Sequence, residues 1–461
     1  MTQTESTPKG MRTFMIIWGG ELISMLGSGL SGFALGVWVF TKTQQATPFA
    51  ITVLLANLPR ILLAPLAGSL ADRWNRRWLM ILADLGSALT TLAAVLVLSF
   101  GDLQLWHIYT IVVLSSICGA FQEPAYMASI TMLVPKKDLT RASGMMQLGQ
   151  AIEPLVTPLL AGLLFALIGL RGIFLIDFIS FFFAVGALLV VRIPQPKAED
   201  VPGREGQRAS LWSDSLFGWR YLAQRRGLFG LLWYFALVNF LLNFAMVLMG
   251  PLVLSYGTST TLGIVQTAAG AGMLIGSIAV SAWHGPQRRI PVVIGLLAFS
   301  SLALALTGLR ASAFVTGAGI FLMLLCIPIA SALSQAVFQN KVAPGVQGRV
   351  FAIRGLISRS MMPLAFILAG PLADRVFGPL LLPGGALSTS RLGALLGIGP
   401  GRGIGLMFLI SGILLLLVSG IVFANPRIRR LEEELPDAVT EVAPVSADGE
   451  AVSASHHRQS A

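Results

Sequence analysis

Long runs of apolar residues, separated by short polar segments, repeat along most of the chain. Each run reaches about 20 residues, the length that a helix needs to cross the hydrocarbon core of a bilayer. The first run, Thr13 to Phe40, is too long for the apolar core of a signal peptide and indicates an uncleaved span. The predicted spans are residues 13–40, 48–70, 78–100, 105–131, 140–166, 172–191, 229–254, 259–283, 290–309, 312–338, 349–377 and 403–424. This pattern predicts an all-α integral membrane protein of twelve transmembrane helices.

Polar segments divide the spans into two groups of six. Residues 1–191 are the predicted N-terminal half, 192–228 a cytoplasmic linker rich in proline and charge, and 229–424 the C-terminal half. Residues 425–461 begin with a short charged helical segment. They continue in Ala, Val, Ser and Glu, a composition typical of a largely disordered tail.

Sequence landmarks recur 208 residues apart in the two halves. The matches are Gly68-Ser69-Leu70-Ala71 with Gly276-Ser277-Ile278-Ala279, Ala161-Gly162-Leu163-Leu164 with Ala369-Gly370-Pro371-Leu372, and Arg141 with Arg349. Two six-span halves of the same topology form a parallel repeat, a plan that builds transporters with a substrate cavity between the halves. Small residues allow helices to approach closely, so the predicted helix-packing positions are Ser28, Gly32, Gly36, Gly162 and Gly370.

Composition excludes a soluble globule and a disordered chain. Hydrophobic residues make up 55% of the chain and charged residues 11%, against about 25% charged residues in soluble domains. The chain has 32 Lys and Arg against 21 Asp and Glu, a net charge of +11. In a membrane protein such an excess indicates basic cytoplasmic loops beside anionic lipid, so no nucleic-acid partner is expected. The basic residues concentrate on the side of the N-terminus, which predicts an inner-membrane protein with both termini in the cytoplasm.

The loop between the second and third spans carries the most specific motif. It runs Gly68-Ser69-Leu70-Ala71-Asp72-Arg73-Trp74-Asn75-Arg76-Arg77. Its spacing and its place in a twelve-span chain closely resemble the Gly-x-x-x-Asp-Arg-x-x-Arg-Arg signature of the major facilitator superfamily. Within that superfamily the chain resembles the macrolide-efflux and enterobactin-exporter branch, on the stretches Pro124-Ala125-Tyr126, Leu133-Val134-Pro135, Asp374-Arg375-Val376-Phe377 and Gly399-Pro400-Gly401-Arg402-Gly403.

The same loop suggests a gate. Gly68 is expected to let the second span approach a neighbour closely. Asp72 is an anion that can accept N–H bonds at the start of another helix. The resemblance implies that this helix is the eleventh span, near Arg349, and that the contact closes the cytoplasmic gate. Arg73, Arg76 and Arg77 would then form a cationic clasp, or alternatively serve only as topological charges.

Several ionisable residues fall near mid-depth of the first half. Glu21, Arg60, Glu123 and Glu153 lie about 12–18 Å from the cytoplasmic edge at a rise of 1.5 Å per residue. Charges at this depth are costly and mark functional sites. Asp84 is expected to tie the third span to the Asp72 loop, whereas Asp177 and Asp374 lie toward the outer ends, where gating or packing roles are expected.

The candidates for proton coupling are Glu21, Arg60, Glu123 and Glu153. An apolar environment favours the neutral form of a carboxyl and a nearby arginine favours the charged form, so a movement of Arg60 would bind or release a proton. The alternative is a static buried ion pair that fixes helix packing. The chain departs from the drug/proton antiporters of the family, since its fourth span has no basic side chain other than His107.

The sequence as a whole predicts secondary active efflux by alternating access. The expected cargo is an amphipathic small molecule, either a drug such as a macrolide or a siderophore, exchanged for protons across the lipid bilayer by a monomeric protein. No cofactor, metal ligand set or catalytic group is recognised, so the chain is not expected to be an enzyme. The alternatives are a metabolite importer or uniporter, and a transport-inactive membrane sensor.

Overall fold

The chain folds almost entirely into long helices. The computed structural model describes residues 10–135, 138–191, 219–283, 285–342 and 346–434. The side chains of Asp72, Arg73 and Arg349 lie outside the described part, as do residues 192–218 of the predicted linker and the tail beyond residue 434.

Twelve long helices make up the described part. In the first half they are α1 Gly10–Thr43, α2 Ala46–Arg73, α3 Arg76–Phe100, α4 Leu105–Leu133 and the run Leu139–Val190, which contains α5 (139–168) and α6 (170–190). In the second half they are α7 Arg226–Leu254, α8 Ser259–Ala282, α9 Arg289–Leu309, α10 Ala313–Lys341, α11 Gln347–Leu372 and α12 Arg402–Ala424. A π-helical turn, Ala373–Phe377, extends α11.

The run Leu139–Val190 crosses a bilayer twice. Its 52 residues would measure about 78 Å as one straight helix, more than twice the hydrocarbon thickness. The backbone breaks at Gly169, with φ 64° and ψ −173°, a conformation that glycine adopts far more readily than other residues. In the described part of the chain, eleven helical segments are long and apolar enough to span a membrane, and the longest contains two spans. The expectation of twelve transmembrane helices is therefore confirmed.

Apolar clusters hold each half together and also join the two halves. In the first half, Phe40, Ile108 and Phe174 belong to one buried cluster. A separate cluster in the second half includes residues of α7, α9, α10 and α12. A third cluster crosses the boundary and places Val37 and Ala50 together with residues of α7, α8 and α11.

Two helix pairs make the closest backbone contacts between the halves. A Cβ added to Gly162 on α5 would lie 2.6 Å from the Ser259 carbonyl oxygen at the start of α8. A Cβ added to Gly370 on α11 would lie 2.6 Å from Cα of Thr47 at the start of α2. These two glycines therefore occupy equivalent positions in the repeat, 208 residues apart, and each lies at a contact between the halves.

The segment after α12 packs on the end of the second half opposite Gly370. It forms the short helices Pro426–Arg429 and Leu431–Glu434. Glu432 accepts a hydrogen bond of 3.0 Å from the Ile290 N–H at the start of α9, while Lys341 on α10 donates to the Glu432 carbonyl oxygen at 2.6 Å. This contact satisfies a free N–H group of α9 and connects α9, α10 and the end of the chain.

Substitution of Gly162 tests the contact between α5 and α8. We expect Gly162→Ala to lower the free energy of unfolding by about 1–3 kcal/mol, because the new methyl group must displace backbone atoms of α8. Gly295→Ala on α9 is the matched control, since none of the atoms that the structure describes lies within 4 Å of a Cβ built there. Thermal unfolding in detergent measures both variants. Equal melting temperatures for Gly162→Ala and the unchanged protein would contradict the expected contact.

Candidate functional site

A large cavity lies between the two halves. Its volume is about 1060 Å³, slightly above the range of about 300–1,000 Å³ that is typical of small-molecule sites. Helices α1 to α6 line it from the first half, and α7, α8 and α10 from the second. It extends from Phe49, near the start of α2, toward Trp18 and Met146 nearer the opposite end of the helices.

The cavity wall has two chemically different sides. Among the described residues, every ionisable residue that lines it belongs to the first half: Glu21, Arg60, Glu123, Tyr126, Glu153 and Asp177. The lining residues of the second half are apolar, among them Met246, Met249 and Met273, with the single neutral amide of Gln266. The residues predicted for proton coupling thus share one cavity, and its other side offers flexible methionine side chains to an apolar ligand.

Glu21 is connected to Asp84 through Gln122. The Gln122 Nε2 group donates a hydrogen bond of 2.9 Å to Glu21 on α1 and a second, shorter hydrogen bond to Asp84 on α3. The remaining oxygens, Glu21 Oε1 and Asp84 Oδ2, are buried and have no hydrogen-bond partner among the described residues. Two carboxyl groups therefore share one neutral amide.

Asp84 was expected to bond to the Asp72 loop, but among the described residues it has no hydrogen bond to that loop. Asp84 is 1% exposed and bonds to Gln122 on α4. The reason is geometric, since Asp84 lies two turns inside α3, at a depth where the neighbouring polar group is on α4. Gln122 itself was not predicted, because an uncharged amide in an apolar span gives a weak sequence signal.

Arg60 and Glu153 face the same cavity from α2 and α5. The Arg60 guanidinium lies against the backbone of α4, where a Cβ on Gly119 would be 2.8 Å from Nη2. Glu153 lies beside Gly29 on α1, where an added Cβ would be 3.2 Å from the Glu153 Oε1 atom. No nitrogen–oxygen distance of 4 Å or less joins Arg60 to an acid in the described residues, so this arginine is not in a static ion pair.

Asp177 lies seven residues after the start of α6, and it lines the wall of this cavity. It is 2% exposed on α6 and accepts hydrogen bonds from Ser28 on α1, at 3.2 Å, and from Thr91 on α3, at 3.3 Å. Ser28 therefore contributes a hydrogen bond to the interface between α1 and α6. The sequence position of Asp177 gave its depth along the helix but not the direction in which it points.

The other predicted packing residues of α1 have different surroundings. Gly32 lines the cavity, and it makes no close contact with another described helix, since no described atom lies within 4 Å of an added Cβ. Gly36 contacts the ring of Phe49 from α2, and Gly250 on α7 contacts the same ring from the opposite half. Phe49 thus fills the space between the halves at this end of the cavity.

A carboxylate closes the same end. Asp374 accepts hydrogen bonds from the Ala46 N–H at 2.8 Å, the Thr47 N–H at 2.7 Å and the Thr47 hydroxyl at 2.6 Å. It therefore caps the N-terminus of α2, where free N–H groups and the helix dipole favour a negative charge. The cap crosses the boundary between the halves and holds α11 against α2.

The motif loop between α2 and α3 lies at the opposite end. Arg76 donates to the Ala128 carbonyl oxygen on α4 at 2.8 Å, and Arg77 donates to the carbonyl oxygens of Leu188 and Leu189 on α6, each at 2.7 Å. These arginines satisfy carbonyl groups near helix ends and tie three helices of the first half together. The predicted contact of Asp72 and Arg73 lies outside the described residues.

Gly68 does not make the close approach expected of it. No atom of the described residues lies within 4 Å of a Cβ built at this position. The reason is that α2 meets α11 near its start, at Thr47, so no described residue packs closely against Gly68 near the other end of α2.

Two six-helix halves around a central cavity, without a soluble domain among the described residues, define a polytopic membrane transporter. A sequence model of the Major Facilitator Superfamily matches residues 17–366. The chain belongs to this superfamily and is a transporter, not an enzyme.

Similar proteins agree with this assignment. Macrolide efflux protein A of Streptococcus pyogenes is 29% identical over 377 residues, which is 79% of this chain and 90% of that protein. Macrolide efflux protein A of Enterococcus faecalis is 30% identical over 325 residues, or 68% of this chain and 96% of that protein. The crystal structure of a bacterial homologue of the human lysosomal transporter Spinster has the same fold, with a TM-score of 0.65 at 15% identity, over 93% of this chain and 99% of that one.

Removal of the Asp374 charge tests the closed end. We expect Asp374→Asn to weaken the cap of α2 and to increase the population in which this end is open. The native cysteines Cys118 and Cys326 are first replaced, and spin labels are attached at Gln44→Cys and Ala386→Cys, two exposed sites in opposite halves. Pulsed dipolar spectroscopy then measures the distance between the two labels. Arg375→Gln is the control, because Arg375 is an exposed neighbour. A distance distribution that Asp374→Asn and Arg375→Gln leave equally unchanged would show that the cap does not hold the gate.

Proposed function

We propose that this protein exports amphipathic, positively charged small molecules across the inner membrane, in exchange for protons, by alternating access. The main support for this proposal is the central cavity, which has an acidic wall in the first half and an apolar, methionine-containing wall in the second. An amphipathic cation can place its charge beside Glu21 and Glu153 and its apolar body against α7 and α8. Macrolides that carry an amine have this character, and the similar efflux proteins make them the first cargo to test.

The proposed route begins in the cytoplasm. The positive-inside rule puts the start of α1 and the motif loop on the cytoplasmic side, so the end closed by Phe49 and Asp374 is the outer side. Hydrogen bonds between the halves support this arrangement, because they lie between mid-depth and the same closed end: Ala46 and Thr47 with Asp374, Ser259 and Thr260 with Gly162, and Thr267 with Leu155. In this conformation cargo would enter the cavity from the cytoplasm.

The acidic wall supplies the proposed proton coupling. Two ionised carboxylates beside one neutral amide repel each other, and a proton bound by either Glu21 or Asp84 removes that repulsion. Glu153 would bind either a proton or the positive charge of the cargo. Because protonation removes the negative charge that holds a cation, binding of protons from the outer side would release the cargo there. An antiporter requires this exchange of bound cargo for bound protons.

Neutral variants of the acids test this proposal. We expect Glu21→Gln and Glu153→Gln to reduce proton-driven uptake of a radiolabelled macrolide into inside-out vesicles at least tenfold, with normal protein levels. Asp102→Asn, an exposed acid between α3 and α4, is the control and should keep full activity. A protonophore should abolish uptake by the unchanged protein.

The possible outcomes test the identity of the cargo and the proton coupling separately. Uptake that requires the protein but survives in both Gln variants would reject these acids as the coupling groups and leave export standing. A macrolide that is never transported, while other amphipathic cations are, would reject only the named cargo.

A further inference from the structure

A second cavity lies inside the C-terminal half, apart from the central one. Its volume is about 160 Å³, and α7, α9, α10 and α11 line it. None of its lining residues lines the central cavity. We propose that this cavity binds the carboxylate of a small anionic molecule, with Arg354 on α11 as the residue that recognises the charge. The proposal goes beyond the export of cations and does not depend on it.

Arg354 is a cation in the interior of the second half. It lies seven residues after Gln347, or about 10 Å along α11. Its Nη1 donates to Gln335 Oε1 at 2.9 Å and its Nη2 donates to the Ser334 hydroxyl at 3.1 Å. Its guanidinium lies 4.7 Å from the centre of the Phe338 ring. These contacts fix the position of the guanidinium and leave further N–H groups to donate.

The partners of Arg354 are all neutral. Within the described ranges, no acidic oxygen lies within 4 Å of its guanidinium. A half-buried cation in an apolar protein interior is costly without an opposite charge, and intramembrane ionisable groups are retained chiefly for function. Since the chain supplies no such charge among the described residues, a bound anion is the partner that completes the site.

The cavity has the shape and polarity for a small amphipathic anion. Arg354, Asn239, Ser331 and Ser358 give it a polar side, and the ring of Phe235 with aliphatic residues of α7 and α10 gives it an apolar side. Its volume equals that of about five water molecules at about 30 Å³ each, which is room for a carboxylate on one aromatic ring or a short chain. Arginine binds a planar carboxylate through two parallel N–H groups, so a carboxylate suits this site better than a neutral amide.

Benzoate and benzamide are the matched probes for this cavity, since they differ mainly in charge. Titration calorimetry on the full-length protein in nanodiscs measures both. We expect benzoate to bind at least tenfold more tightly than benzamide, and Arg354→Gln to bring the two affinities together. Arg359→Gln is the matched control, because Arg359 lies five residues further along the same helix and is exposed.

Two further variants keep the test decisive if Arg354→Gln does not fold. Arg354→Lys keeps the charge and should retain a preference for benzoate. Ser331→Leu fills the cavity while Arg354 stays in place, and should abolish benzoate binding. The proposal is overturned if benzoate and benzamide bind alike, if benzoate binding persists in Ser331→Leu, or if Arg359→Gln reduces it as much as Arg354→Gln. None of these results bears on macrolide export.

Discussion

The contact between the two halves is the constraint on which the remaining structure depends. Inside a bilayer the backbone satisfies its own hydrogen bonds as helices, so each six-helix half behaves as a packed unit and the boundary between the halves is where they can rearrange. Gly162 and Gly370 let α5 reach α8 and let α11 reach α2 with almost no side-chain volume between the backbones. Close approach at one end separates the helices at the other, and the central cavity is the space that results.

The central cavity also explains why charged side chains occur inside the membrane-spanning helices. Glu21, Glu123, Glu153 and Arg60 are costly in hydrocarbon, but all of them line the cavity and not the lipid face. Charge is confined to the first half of the wall, so the two sides of the boundary differ even though the halves repeat in topology. The repeat therefore determines where the cavity forms, and the residues that break the repeat determine what it can bind.

The sequence predicts the fold well because its signals are local or periodic. Apolar runs gave the spans, and the offset of 208 residues identified Gly162 and Gly370, which lie at equivalent contacts. The direction in which a side chain points and its hydrogen-bond partners are harder to predict from sequence. The depth of Asp84 followed from its position, but its bond to Gln122 depends on the rotation of α3 against α4, which the pattern does not contain. Arg354 was missed because it lies close to basic residues that mark the cytoplasmic side, although its place inside a predicted span was a usable signal.

Helices α2 and α11 carry acidic residues that suggest how the two ends alternate. Asp374 follows α11 and caps the start of α2 at the closed end. Asp72 lies in the last turn of α2, and the family resemblance implies that it caps the start of α11 near Arg349, a prediction that remains untested. Thr47 and Asp72 are 25 residues apart along α2, and Arg349 and Asp374 are 25 residues apart along α11 and the turn that follows it. At 1.5 Å per residue each separation is about 38 Å, and the two helices run antiparallel. A change of tilt that brings one pair together separates the other. Each cap would then stabilise one conformation at the expense of the other, which is the two-state behaviour that alternating access requires.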